Sequence, residues 1–226
     1  SNYSEVMCEP LPDNGNSFFS RESLDKGLEL AQDKSAVAIG PAIGTEEATG
    51  AFLNAFVKDV KTPLVIDADG LNLLDLSSLR MRRAATVLTP HPGEMARLTK
   101  SDTSSINLNR SQAAISLAAS CGAIVVLKGM GTIVAAPDGR CAINRTGNSG
   151  MASAGMGDAL TGIIASLLGQ GLDPFDAACA GVFVHGMAGD FAASEIGERA
   201  LITTDLIKKL PQAFESIETN SHSRMI

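Results

Sequence analysis

Short apolar runs alternate along this chain with longer stretches of helical period, the pattern of βα units laid on a mostly parallel sheet. The run Ala36-Val37-Ala38-Ile39, closed by Gly40-Pro41, predicts a buried strand. Thr45 is placed to cap a helix running to Val60, with Glu46 and Glu47 where the helix dipole favours acids. Leu64-Val65-Ile66 predicts the next strand, followed by a turn at Asp67-Ala68-Asp69-Gly70 and a short helical piece from Leu71. Thr86-Val87-Leu88 is a third, stopped by Pro90 and Pro92, which leave His91 on a rigid loop at its carboxyl end.

An amphipathic helix is expected from Ser105 to Ser120, and Ala123-Ile124-Val125-Val126-Leu127 is the most strand-like run of all, ended by Lys128. Ile133 to Ala136 and Arg140 to Ile143 flank Pro137-Asp138-Gly139, which reads as a hairpin because Asp-Gly supplies positive backbone angles. An antiparallel element thus joins the parallel sheet. The remainder is helical, from Asp158 to about Gly169, Pro174 to about Glu195 and Thr204 to about Glu218.

Composition narrows the function classes. A length of 226 residues suits one α/β domain rather than two. The 22 glycines beside one Tyr and no Trp favour a glycine-rich ligand cradle over an aromatic binding face. A net charge of -7 without clustered Lys and Arg argues against nucleic acid as a partner. No long apolar run predicts a membrane span, and the start of the chain lacks a basic-then-apolar leader pattern, so a cytoplasmic protein is expected. Cys8, Cys121, Cys141 and Cys179 show neither metal-ligand spacing nor disulfide density and read as packing residues.

The chemistry concentrates in Thr146-Gly147-Asn148-Ser149-Gly150-Met151-Ala152-Ser153-Ala154-Gly155-Met156-Gly157-Asp158, where glycines precede an apolar helix. Glycines let backbone N–H groups converge, and the helix adds its unpaired amides and positive end, so Ala154, Gly155, Met156 and Gly157 predict an anion hole. Asp158, in the first turn, is placed to take the proton of an attacking hydroxyl. The plainer alternative is a tight turn followed by a capping aspartate. No Gly-Lys-Ser/Thr follows, which excludes a Walker loop, and the position after a hairpin excludes a dinucleotide fingerprint.

Asn148 to Asp158 resembles the signature of the NAD(P)H-hydrate dehydratases, and three further segments agree in order: Gly40-Pro41-Ala42-Ile43-Gly44, Asp67-Ala68-Asp69-Gly70-Leu71-Asn72-Leu73-Leu74 and Thr89-Pro90-His91-Pro92-Gly93-Glu94. The resemblance runs from about Ala36 to about Asp205. It implies a ribokinase-like three-layer α/β/α fold and a metabolite-repair reaction. In that reaction ADP or ATP phosphorylates the hydroxyl of NADH hydrate or NADPH hydrate, and phosphate is then eliminated. The Asn-x-Gly-Met-Ala run points to ADP as donor, by analogy alone. The family implies Asp158 as base and hydrate contact, with Gly44 and His91 also binding the hydrate. Lys128, Gly129, Met130, Gly131, Thr132 and Gly157 would bind the nucleotide, and Mg2+ would accompany it. An NAD(P)H-hydrate epimerase domain or subunit and a homo-oligomeric assembly are the implied protein partners.

Some residues keep a second reading. His91 can be only a stiff turn, and Lys128 only a solvated strand end, although Gly40, Asp67, Pro90 and Lys128 all follow strands at the end where open parallel sheets bind ligands. Asp67, Asp69 and Glu94 are secondary candidates for holding magnesium, Glu94 foremost. His185 and His222 read as structural or incidental. The family's first glycine-rich strand and helix have no counterpart before residues 4–7, so one domain completed by that missing segment is expected. Ala42 replaces the family's usual central glycine, and Gly70 stands where alanine is frequent. The competing functions are a small-molecule kinase of the same fold, acting on a hydroxyethylthiazole or a pyrimidine, and a catalytically inactive nucleotide-binding module.

Overall fold

The computed structural model describes residues 6–13, 15–80 and 82–222, the last three without their side chains, so residues 1–5 and the His222 side chain lie outside the description. Six strands form one sheet in chain order: β1 (Val37–Ile39), β2 (Leu64–Ile66), β3 (Thr86–Leu88), β4 (Ile124–Leu127), β5 (Ile133–Ala135) and β6 (Cys141–Ile143). β1 to β4 are parallel, and β5 and β6 pair antiparallel. β2, β3 and β4 are buried at every residue, which is why they read as near-continuous apolar runs, with Thr86 the one polar residue, rather than as alternation.

Alternate strand residues feed two cores, giving the expected three layers. Ile66, Leu88, Val125, Leu127 and Ala135 pack with α1 (Glu22–Gln32), α2 (Glu47–Asp59) and α6 (Arg110–Cys121). Val65, Val87, Val126 and Val134 pack on the other face with α7 (Met156–Gly169) and α8 (Pro174–Ile196). A third cluster joins α7 and α8 to α9 (Thr203–His222). No described helix is long and apolar enough to cross a membrane.

Several local expectations are corrected. Thr45 does not cap α2; Glu46 takes that position in extended conformation without a side-chain bond, because Gly44 at φ +82° delays helical backbone. β3 does stop before Pro90, but His91 is not on a loop: it caps α4 (Pro92–Thr99), proline being suited to the first helical position. The helix expected from Ser105 is two, α5 (Thr103–Leu108) and α6, broken at Asn109 (φ -136°, ψ 51°). In the hairpin only Gly139 has positive φ (+92°), so the loop is a three-residue one with a glycine bulge, and the Asp138 carboxylate takes the Arg140 amide. Cys121 is buried, but Cys8 and Cys141 are exposed and fill no core.

Candidate active site

The loops after β1 to β4 meet at one edge of the sheet, and glycines set how closely. A Cβ on Gly40 (φ +126°) would come within 1.8 Å of the Asp67 carbonyl oxygen. Gly70 answers from the other side, where a Cβ would lie 2.9 Å from Gly40 Cα. Between them Ala68 turns sharply from β2 into α3 (Asp69–Leu73) at φ 50°, ψ -124°, a region costing about 1–3 kcal/mol for a residue with a Cβ. The two flanking carboxylates diverge: Asp69 Oδ2 accepts the Gly44 amide at 3.1 Å, while Asp67, 1% exposed, turns inward.

Asp67 is the anchor of the site. Its Oδ1 accepts from Lys128 Nζ at 2.6 Å and its Oδ2 from Thr161 Oγ1 at 2.8 Å. Burial pushes the Asp67 carboxyl up, but the Lys128 charge and these hydrogen bonds outweigh it and hold it below the usual carboxylate range. Lys128 is therefore no solvated strand end. Its backbone N–H donates to Pro90 O at 2.8 Å, and a Cβ on Gly157 would lie 3.3 Å from its Nζ. Glycine at 157 leaves space for an ammonium against the first turn of α7. Arg110, displaced toward β4 by the break at Asn109, donates to Leu127 O at 3.1 Å and fixes the loop from the other side.

His91 is the N-cap of α4 in a capping box: its Nδ1 accepts from the Gly93 and Glu94 amides at 3.0 and 3.3 Å, and Glu94 Oε2 accepts the His91 amide at 2.7 Å. The imidazole proton is thereby placed on Nε2, 3.4 Å from Glu94 Oε1. Glu94 is 5% exposed, with Lys128 Nζ also 3.8 Å from its Oε2. Its carboxylate is engaged as a cap, and no group of three or more His, Cys, Asp or Glu among the described residues is arranged to hold a metal ion.

Gly155 (φ +82°) caps α7, and Asp158 occupies its third position, exposed and without a hydrogen bond or ion pair among the described residues. The amides of residues 157 and 158 have no acceptor one turn earlier inside the helix, and the Met156 amide donates to Ser153 O at 3.5 Å. Thr203 Oγ1 steadies this bend by donating to Ala154 O at 2.8 Å. Beside it opens a cavity of about 980 Å³, lined by His91, the residues 128–132 and Gly157. Ile143, Arg145 and α8 close its other side. Gly44, Ala154, Gly155 and Asp158 are not among the lining residues; Gly155 and Asp158 adjoin it through Met156 and Gly157. The expected residues thus divide between the cavity lining, where Gly157 and Lys128 lie, and positions outside it.

One lining residue carried no functional signal in the sequence. His185 is 8% exposed and its Nε2 donates to Met156 O at 3.0 Å. Burial drives its pKa from 6.5 to about 4, aided by the Lys128 charge and opposed by that hydrogen bond, so the ring is neutral. An apolar helix hides such a residue until the facing loop is known.

The model of the NAD(P)H-hydrate dehydratase family matches residues 1–212. The bifunctional NAD(P)H-hydrate repair enzyme of Thermofilum pendens is 42% identical over 97% of this chain and 42% of its own length. The ADP-dependent (S)-NAD(P)H-hydrate dehydratase of Neisseria meningitidis is 41% identical over 79% of this chain and 63% of its own. The chain spans about two-fifths of the length of the bifunctional relatives it matches. The ADP/ATP-dependent NAD(P)H-hydrate dehydratase of Bacillus subtilis, co-crystallised with ATP/Mg2+ and soaked with CoA, superposes with a TM-score of 0.75 at 31% identity. That match covers 84% of this chain and 71% of that one. The shared architecture is ribokinase-like, and with the family model spanning nearly the whole sequence, this chain belongs to the NAD(P)H-hydrate dehydratase family.

Proposed function

We propose that the chain dehydrates NADH hydrate and NADPH hydrate with ADP, or ATP, as phosphoryl donor. The nucleotide occupies the cavity beside residues 128–132, and the hydrate lies on the open rim against Gly44, His91 and Asp158. Asp158 accepts the proton of the hydrate hydroxyl as its oxygen attacks the terminal phosphorus, and the nucleotide leaves shortened by one phosphate. Expulsion of phosphate from the phosphorylated carbon, with loss of a proton from its neighbour, then restores the dihydronicotinamide.

The observation that carries this reading is Lys128 Nζ, held by Asp67 at 2.6 Å against the glycine turn of α7. A fixed ammonium and the open amides of residues 157 and 158 lie where negative charge would grow during transfer, so they would stabilise it without reorganising. ADP as donor draws support from the name of the Neisseria relative. Mg2+ would neutralise the phosphates, but Glu94 is engaged as a cap and does not fit as its ligand, so a cation would be held chiefly by the nucleotide. The bifunctional names of the longer relatives support an epimerase domain or subunit as partner.

The test is to incubate the protein with NADH hydrate, ADP or ATP, and Mg2+, and to follow the reduced-nicotinamide absorbance. Recovery is expected, lost in Asp158→Asn. Absence of recovery, or accumulation of a stable phosphorylated product as from a kinase, would overturn the reading.

A further inference from the structure

The glycine-rich segment that forms the anion hole is fastened along its length to one face of α8. Thr146 Oγ1 donates to Phe183 O at 3.0 Å, and Gly147 N and Asn148 Nδ2 donate to Asp190 Oδ2 and Oδ1 at 2.8 and 2.9 Å. At the far end the His185 imidazole holds Met156 O. The α8 residues involved recur at helical spacing, and the glycines on that face permit the approach. A Cβ on Gly186 would lie 2.2 Å from Thr146 Oγ1, and one on Gly189 2.3 Å from Met151 Sδ.

Asp190 is the charged member of this face and binds the segment twice. Both its oxygens receive donors, and Asn148 passes the constraint on, because its Oδ1 accepts the Gly150 amide at 3.1 Å. Only a group that accepts on both arms fits there. An asparagine would turn a donor toward either Gly147 N–H or Asn148 Nδ2, and Asn148 cannot flip without releasing Gly150.

We propose that Asp190 is a positioning residue for phosphoryl transfer: its carboxylate sets the register of residues 147–150, and through them the amides of residues 155–157 against the transferred phosphate. This rests on the dehydratase reading above, since Asp190 itself touches no reacting atom.

The experiment is steady-state dehydration of NADH hydrate with ADP for four proteins: the wild type, Asp190→Asn, Asn148→Asp and the double variant. Asp190→Asn should lower kcat at least about tenfold, the effect of one lost charge-assisted hydrogen bond, with a smaller change in KM for ADP. Asn148→Asp alone should also be impaired, because it sets two carboxylates face to face. The double variant restores donor facing acceptor and should recover most of the loss. Thermal melting separates this from a purely structural role, in which activity would follow folded fraction and kcat per folded molecule would not move. Wild-type kcat in folded Asp190→Asn overturns the proposal, as does a folded double variant no better than the single ones. If Asp190→Asn does not fold, the double variant alone decides by the same criterion. A wild type without dehydratase activity defeats the underlying function instead, a separate outcome.

Discussion

Around Lys128 two buried carboxylates share one ammonium, and the energetics of that arrangement are asymmetric. Removing the ammonium leaves Asp67 charged and 1% exposed with only the Thr161 and Thr89 hydroxyls to satisfy it, whereas removing Asp67 together with Lys128 leaves one carboxylate, Glu94, which keeps the His91 amide as its donor. Lys128→Met should therefore cost about 3–5 kcal/mol of unfolding free energy, and Asp67→Leu/Lys128→Met clearly less; urea denaturation of the three proteins measures both, and equal losses would contradict the buried-pair account. His185 offers a pH test. Its folded pKa of about 4 lies below the ordinary 6.5, so the unfolded chain binds the extra proton first. Stability is full above about 6.5 and falls by roughly 3 kcal/mol as the pH drops toward 4, levelling below it. Asp67 adds loss only at more acid pH, since its depressed pKa holds its contribution until below the usual carboxylate range. Melting temperatures from pH 7.5 to 4.5 should fall less steeply in His185→Gln than in the wild type.

At the scale of elements, the turns after β1 and β2 are the site's scaffold, and two substitutions there should act in opposite directions. Ala42 holds φ +54°, so Ala42→Gly should stabilise by roughly 0.5–1 kcal/mol after glycine's own entropy cost. Gly70→Ala drives a Cβ to 2.9 Å from the Gly40 backbone and should destabilise by about 1–3 kcal/mol; chemical denaturation resolves both signs. Legibility followed the same divide between local and distant causes. β2 and β3 match their expected runs residue for residue, because burial on both faces favours apolar residues and the one polar exception, Thr86, is satisfied by Arg82. α4 begins within four residues of the end of β3, and its one local signal is His91-x-x-Glu94, a capping box with histidine in the serine position. The break at Asn109 had no local signal, since the Arg110 contact with Leu127 and Lys128 is tertiary. In the site, glycines and Lys128 were readable from motifs. Asp190 and His185 act on backbone 43 and 29 residues away, and nothing in an apolar helix announces that.

At the scale of the whole molecule, the cavity is walled by the antiparallel hairpin and the helical layer. The β4–β5 loop and β6 stand on one side, and α7 and α8 on the other. Two apolar side chains on its rim face solvent, Met130 at 98% exposure on the loop and Ile143 on the edge strand. A nucleotide whose base covers them would bridge the antiparallel hairpin to the helical layer, binding the folded chain and not the unfolded one. Mass action then fixes the size of the effect: ADP at a hundred times its dissociation constant adds about 2.7 kcal/mol. For a domain of this length that raises Tm by roughly 5–10 °C. Hydrogen exchange should slow in residues 128–132 and in residues 182–186 of α8 together, because the ligand joins the two walls, and Met130→Ser should reduce the Tm shift without altering the Tm of the free protein. Protection confined to one wall, or a shift unchanged by Met130→Ser, would place the nucleotide elsewhere.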